Sequence, residues 1–205
     1  MIETMLLLIP VVILSLTIHE YAHARMALAW GDSTALTRGR CSLNPLVHLD
    51  PLGLLVLIGT QMFGWAKPVP FAPTHLRSRK MGTIMVALAG PASNLALAFA
   101  LGLGCKFLHG HVPATIYAML RVGMVINVVL CVFNLVPLFP LDGHHIMREL
   151  LPPRDQGGFM AWQRRYGQWI LLAILILPPL LRVQGPLGIL FGAALRGTTL
   201  LFGLV

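Results

Sequence analysis

Two histidines and a glutamate form the pattern His19-Glu20-x-x-His23 inside a long apolar run near the start of the chain. If the run is helical, His19 and His23 lie on one face and can share a metal ion, because they are four residues apart. Glu20 follows His19 directly, where its carboxylate can hold a metal-bound water without binding the metal itself. The pattern therefore offers two metal ligands and a general base.

The apolar setting of this pattern argues for a function. With 8 histidines and three glutamates in 205 residues, it is expected by chance about 0.005 times. The alternative is a solvated helical patch with two ordinary surface histidines. Burying two imidazoles and a carboxylate in a membrane helix without partners costs several kcal/mol, and ionisable residues in membrane helices are functional as a rule. We therefore interpret the pattern as part of a metal site.

The composition is that of a membrane protein. The chain is 57% hydrophobic and 11% charged, whereas about 25% of residues are charged in a soluble domain. The net charge of +8 does not indicate nucleic-acid binding, because the basic residues cluster at the ends of apolar runs rather than in an aromatic-rich patch. The three cysteines have no spacing that implies a disulfide framework or a cysteine zinc site. We expect a single membrane-embedded domain over residues 1–205.

Apolar segments long enough to cross a bilayer, which needs about 20 residues, define the core. They cover residues 4–29, about 81–107 and about 114–136. Most Lys and Arg residues flank these segments on the side of the His-Glu pattern, which the positive-inside rule assigns to the cytoplasm. We expect an all-α polytopic protein of the prokaryotic cell membrane with a three-helix core at about 4–145. Two further apolar stretches within about 166–205 would add one or two accessory spans.

The region between the first two spans is rich in proline. Residues 52–64 are apolar but only 13 in number, so we expect a re-entrant segment, with a short tilted span as the alternative. Residues 64–71 should form an extended, β-like edge strand or a plain interfacial connector. His48 and Asp50 could supply a metal ligand, although a turn or an interfacial hydrogen bond is the simpler interpretation.

The third span ends where Pro137 and Pro140 break the helix and Asp142-Gly143 gives a turn signal. Asp142 is therefore expected on irregular backbone at the depth of the two histidines. Such backbone is tolerated there only if protein covers it or it lines a wet cavity.

Asp142 is the candidate third ligand, because catalytic zinc usually has three protein ligands and one water. The alternative for Asp142 is a turn-capping aspartate, and His144 and His145 are rival ligands. In the second span, Asn94 follows a patch of small residues that permits close helix approach. Its amide needs a partner, either on another helix or in the active site.

Taken in order, these segments resemble the site-2 protease family of intramembrane zinc metalloproteases. The resemblance rests on residues 19–23 in the first core helix, 90–94 in the second and 134–143 in the third. Residues 44–53 and 64–70 are similar to the compact prokaryotic branch. The loop between the second and third spans is too short for the PDZ domain of some relatives, and the tail is too short for a CBS domain.

The resemblance implies that one zinc ion is bound by His19, His23 and Asp142, with Glu20 as the base. It also implies that Asn134 lies near the zinc, where it would bind the substrate or the developing oxyanion. The expected activity is hydrolysis of peptide bonds in or next to transmembrane segments of protein substrates, held extended by strand addition along residues 64–71. The expected partners are therefore a transmembrane protein substrate and the lipid bilayer, with no nucleic acid. The alternative is a zinc-binding or zinc-transport protein of the membrane without proteolytic activity.

Overall fold

The computed structural model describes residues 2–60 and 64–203, and this part of the chain is mostly helical. The α-helices in chain order are α1 (Ile2–Ala29), α2 (Thr34–Thr37), α3 (Pro51–Thr60), α4 (Arg79–Leu108), α5 (Ala114–Asn134), α6 (Asp142–Leu150), α7 (Pro153–Trp162), α8 (Gln168–Leu180) and α9 (Pro186–Phe202). Short 3-10 turns form at Pro45–Val47 and Pro73–His75, and the π-helical turn Gln163–Gly167 joins α7 to α8. The all-α prediction is confirmed for the described residues, which contain no strand.

Helix α4 is at the centre, where it contacts α1, α5, α6 and α9. Its buried face carries small residues that let the neighbouring helices approach closely. A Cβ atom at Gly102, for example, would lie 2.3 Å from the ring of Phe202 in α9. Near the end of α1, Ala27 packs with Leu76 and Val86 in a buried apolar cluster. The small residues of α4 thus allow α1 and α5 to enclose polar side chains between them.

Two helices of the described part, α4 and α5, are long and apolar enough to cross a membrane. They correspond to the predicted second and third spans within about two residues at each end. Helix α1 covers the predicted first span, and its crossing of the bilayer stays a prediction. The same holds for the accessory spans, because α8 has 13 residues and α9 has 17.

The segment predicted to be re-entrant contains α3, while residues 61–63 lie outside the described ranges. Asp50 Oδ1 accepts the backbone N–H groups of Leu52 and Gly53, both at 2.9 Å, at the start of this helix. Asp50 therefore has the turn-forming role that we preferred to a metal ligand. Residues 65–72 follow as the extended stretch, which makes one isolated antiparallel bridge between Ala66 and Leu49.

The position of Asp142 requires a correction. Asp142 is the first residue of α6 and does not lie on irregular backbone; the irregular part is residues 135–141. The helix can resume after Pro140 because no further proline interrupts it, and an aspartate in the first turn interacts favourably with the helix dipole. Helices α6 and α7 occupy the region between the third predicted span and the predicted accessory spans.

Candidate active site

Three candidate ligand atoms meet where α1 faces the start of α6. Nε2 of His19 and Nε2 of His23 each lie 3.3 Å from Oδ2 of Asp142, and the two nitrogens are 3.0 Å apart. Bonds of about 2.0–2.2 Å to a tetrahedral zinc ion place ligand atoms about 3.3 Å from one another. Across residues 8–59 and 64–203, whose side chains the structure describes, this is the only group of His, Cys, Asp and Glu side chains arranged to hold a metal.

The far side of each imidazole is hydrogen-bonded to an oxygen. His19 Nδ1 lies 2.5 Å from Asn94 Oδ1, and His23 Nδ1 lies 2.7 Å from the Val86 carbonyl oxygen. Because these oxygens only accept, each Nδ1 carries a proton, and in the neutral ring each Nε2 then presents a lone pair. Oδ2 of Asp142 is buried and accepts no hydrogen bond from a described residue. Two lone pairs and a carboxylate oxygen thus face one point, which fits a bound zinc ion.

Gly90 of α4 borders this point. A Cβ atom at Gly90 would lie 2.3 Å from Nε2 of His23 and 2.6 Å from Cε1 of His19. These distances are too short for any real Cβ contact, so a side chain here would displace the imidazoles. The small-residue patch recognised in the sequence therefore makes room for the ligands.

A buried chain of hydrogen bonds extends from His19 through three helices. Asn94 donates through Nδ2 to Oδ1 of Asn127 at 2.7 Å, and Asn127 donates to Ser15 Oγ and to the Gly123 carbonyl, both at 2.8 Å. Asn94 thus takes both roles that the sequence left open, an interhelical bond and a contact with the site. Sequence reasoning missed Asn127 and Ser15, although a lone polar residue in an apolar helix is a signal for such a role.

Glu20 lies beside the ligands and is 8% exposed. Its Oε2 accepts the backbone N–H of Val69 at 2.9 Å. This bond orients the carboxylate through one oxygen, so that the second oxygen can serve a water. The buried guanidinium of Arg40 donates to the carbonyls of Lys67 and, at 3.3 Å, Pro68, and so holds the residues that precede Val69.

The far end of the extended stretch is anchored by Asp32, which is completely buried. Its carboxylate accepts the N–H of Ala72 at 2.6 Å and, from Thr34, the N–H at 2.9 Å and the hydroxyl at 2.5 Å. Burial raises the pKa of Asp32, but the hydrogen bonds from Thr34 and Ala72 outweigh burial and lower the pKa below its ordinary value of 3.8.

The backbone donors of the extended stretch are largely in use. The Lys67 N–H bonds the His48 carbonyl at 2.8 Å, the Val69 N–H bonds the glutamate, and the prolines at 68 and 70 have no N–H. Residues 67–70 therefore have no free backbone N–H to offer a substrate, and the strand addition expected along residues 64–71 stays a prediction.

A cavity of about 640 Å³ contains the three ligand side chains and Glu20. Its other walls include the extended stretch and apolar side chains of α8, such as Trp169 and Leu172. Asn134 also lies in the wall, but its Nδ2 donates to the Leu130 carbonyl of the same helix at 2.9 Å. A largely apolar cavity around a polar cluster suits an apolar peptide as ligand.

The rival histidines are not part of the ligand group. His144 Nδ1 lies 2.5 Å from the Leu141 carbonyl oxygen, which accounts for its ring orientation. His145 lines the cavity without joining the three ligands. Nε2 of His48 lies 2.7 Å from the carbonyl oxygen of Ser42, in the loop before α3.

The chain is similar to bacterial proteins that carry metalloprotease names. It is 35% identical over 178 residues to "Putative zinc metalloprotease YwhC" of Bacillus subtilis, an alignment covering 83% of this chain and 80% of that protein. It is 35% identical over 175 residues to "Putative zinc metalloprotease Rip2" of Mycolicibacterium smegmatis, covering 83% of this chain and 66% of the relative. No protein-family model matches the chain, and no solved structure matches it significantly.

The similarity to YwhC extends over four fifths of both chains, so it covers most of the fold. The ligand set, two imidazoles and a carboxylate with a glutamate directly after the first histidine, is one that zinc metalloproteases use. The chain therefore belongs to the site-2 protease family of zinc metalloproteases.

Proposed function

We propose that the protein is an intramembrane zinc metalloprotease, which hydrolyses peptide bonds in or next to transmembrane segments of membrane-protein substrates. The observation that carries this proposal is the meeting of His19, His23 and Asp142 with Glu20 in one largely apolar cavity. The metal ligands and the base of a hydrolase are thus combined with walls that suit an apolar polypeptide.

Each side chain has a defined part in this reaction. When bound to its three ligands, zinc supplies a Lewis acid that polarises the scissile carbonyl and activates a water. Glu20 takes the proton of the attacking water and returns it to the departing amine. The Val69 N–H keeps the carboxylate of Glu20 in position during both transfers. Asn134 would bind the substrate from the cavity wall after its amide leaves the Leu130 carbonyl.

The proposal places the protein in the cell membrane as a multi-pass protein with α1, α4 and α5 as spans. Support comes from α4. Its apolar side chains Leu95 and Phe99 are 57% and 51% exposed, while Asn94, which bonds side chains of α1 and α5, is 0% exposed. An apolar outer surface around a polar interior is what a bilayer requires. The distribution of basic residues favours an active site toward the cytoplasmic side, where water can reach it.

A membrane protein that binds or transports zinc without proteolysis is the second candidate. Transport would need a path with several sets of ligands. The described residues contain one set, at one position in the fold. This single set is the reason to prefer hydrolysis. Hydrolysis needs Glu20 as the base, whereas zinc binding or transport does not, so a variant of Glu20 separates the two candidates.

The test is the variant Glu20→Gln in full-length protein reconstituted in lipid vesicles with labelled single-span reporter proteins. We expect cleavage to fall by about 10²–10⁴-fold because the base is lost, while zinc content stays at the wild-type value. Asp155→Asn, an exposed site on α7, is the matched control and should cleave normally. Undiminished cleavage by Glu20→Gln would refute the assignment of the base and the proposed mechanism.

A further inference from the structure

We infer that Gln163 is a positioning residue for the metal ligand Asp142. Gln163 begins the π-helical turn between α7 and α8, outside the three-helix core. The inference rests on the proposed function, and it makes a part of the chain beyond the core necessary for the metal site.

Both ends of the Gln163 amide bond the irregular loop of residues 135–141. Oε1 accepts the Phe139 N–H at 2.8 Å, and Nε2 donates to the Pro137 carbonyl at 2.7 Å. The side chain is 1% exposed. The buried amide thus gives the loop backbone one donor and one acceptor, which a paired strand would otherwise supply.

The loop leads directly into the first residue of α6, Asp142. Its internal bonds, from Leu138 N–H to Val136 O and from Leu141 N–H to Leu138 O, are both 2.8 Å and give the loop its shape. The bonds to Gln163 fix that shape relative to the rest of the molecule. Since zinc–oxygen bonds vary by only a few tenths of an ångström, a small displacement of the loop would remove Oδ2 from binding distance.

The surroundings of Gln163 are adapted to this contact. A Cβ atom at Gly167 would lie 2.5 Å from Oε1 of Gln163 and 3.2 Å from Cβ of Phe139, so glycine is needed for the amide to reach the loop. The turn that contains both residues is π-helical, a rare conformation that is frequent at functional sites. Helix α8, which starts immediately after this turn, forms one wall of the cavity. The turn that holds the ligand loop is thus continuous with the helix that contacts the site of the proposed substrate.

The experiment measures the zinc dissociation constant of the full-length, detergent-solubilised protein by competition with a chelator. Gln163→Met preserves the length of the side chain but removes both hydrogen bonds. We expect its dissociation constant to rise about 10–100-fold, as for other residues that orient metal ligands. Gln163→Glu should lie between Met and the wild type, because a carboxylate can still accept the Phe139 N–H but cannot donate to the Pro137 carbonyl. The control is Gln156→Met on α7, which loses only a bond to the Leu151 carbonyl.

The melting temperature of the metal-free protein distinguishes positioning from a purely structural role. A lower melting temperature with an unchanged zinc dissociation constant in Gln163→Met would overturn the inference. If that variant does not fold, Gly167→Ala decides the question, because its methyl group displaces the amide. We expect at least about a fivefold weaker affinity there, and wild-type affinity would overturn the inference. Failure of the wild type to bind zinc would instead refute the proposed function.

Discussion

Each metal-facing imidazole is oriented by an oxygen atom of α4. Asn94 Oδ1 accepts from His19 and the Val86 carbonyl accepts from His23, so one helix sets the tautomer of both ligands on another. The backbone of α4 also approaches the ligands directly at Gly90. The metal site therefore depends on the packing of α4 against α1 as much as on the ligands themselves.

Asn94→Leu tests the hydrogen bond behind His19. We expect a zinc dissociation constant about 10–100-fold higher, because the imidazole loses the partner that fixes its tautomer and orientation. Chelator competition measures this constant. Ser93→Ala is the neighbouring control, since Ser93 bonds only the Gly90 carbonyl of its own helix in the structure. A folded Asn94→Leu protein with wild-type affinity would contradict the assigned role.

Gly90→Ala tests the space between α4 and the ligands. The added methyl group would lie 2.3 Å from His23 Nε2, so we expect zinc affinity to fall by more than about 100-fold. Gly104→Ala in the same helix is the control, because its Cβ would make an ordinary 3.5 Å contact with Leu120. Zinc content after dialysis measures the effect. Normal zinc content in Gly90→Ala would contradict the close approach of α4 to the histidines of α1.

The sequence predicts those candidate site residues that are recognised from their immediate neighbours in the chain. His19, Glu20 and His23 follow from one helical turn, and Asp142 follows from an acid placed directly after a helix-breaking segment. The structure brings these four side chains to one cavity. The partners of Asn127 and Gln163 could not be predicted, because they are far away in the sequence and come close only through packing between helices.

The extended stretch of residues 65–72 is the element that covers Glu20. Three polar side chains from different parts of the chain hold it: Arg40 bonds residues 67 and 68, Glu20 bonds Val69, and Asp32 bonds Ala72. The stretch lacks the ladder of a sheet, so these bonds replace strand pairing. Its position over the cavity is consequently sensitive to the charge state of the side chains that hold it.

Asp32→Asn tests this dependence through pH. The lowered pKa of Asp32 means that its carboxylate stabilises the fold fully above pH 3.8 and loses this effect as the pH falls through the lowered pKa. At pH 7 we expect the variant to be less stable by about 2 kcal/mol. The difference between wild type and variant should shrink below about pH 4.

Denaturant unfolding of the metal-free protein at several pH values measures this difference. Asp155→Asn serves as the control, because its carboxylate is exposed. A destabilisation by Asp32→Asn that is the same at pH 3 and pH 7 would show that the charge of Asp32 does not contribute.

The long helices could be predicted from their apolar runs, because α1, α4 and α5 each need a continuous segment without helix breakers. The shorter helices α6 and α7 could not, since each is only 9 or 10 residues long and follows prolines that suggest a loop. The π-helical turn has no sequence signature, because it differs from an α-helix only in the register of its backbone bonds.

In the whole molecule, the candidate site combines residues from near the start and near the end of the core sequence, residues 4–145. Helix α1 supplies two of the proposed ligands and the proposed base, α6 supplies the third proposed ligand, and α4 and the π-helical turn contact the elements that position them. The single domain expected over residues 1–205 stays a prediction. The contacts of α4 with α9 nevertheless connect the predicted accessory part to the core.

The central claim is that one zinc ion is bound jointly by His19, His23 and Asp142. Its most direct test is the zinc content of the full-length protein after dialysis against a weak chelator, for the wild type, Asp142→Asn and the control Asp50→Asn. The account predicts about one zinc ion per chain in the wild type and in Asp50→Asn, and almost none in Asp142→Asn. Full zinc content in Asp142→Asn, with loss of zinc in His144→Asn or His145→Asn instead, would contradict it.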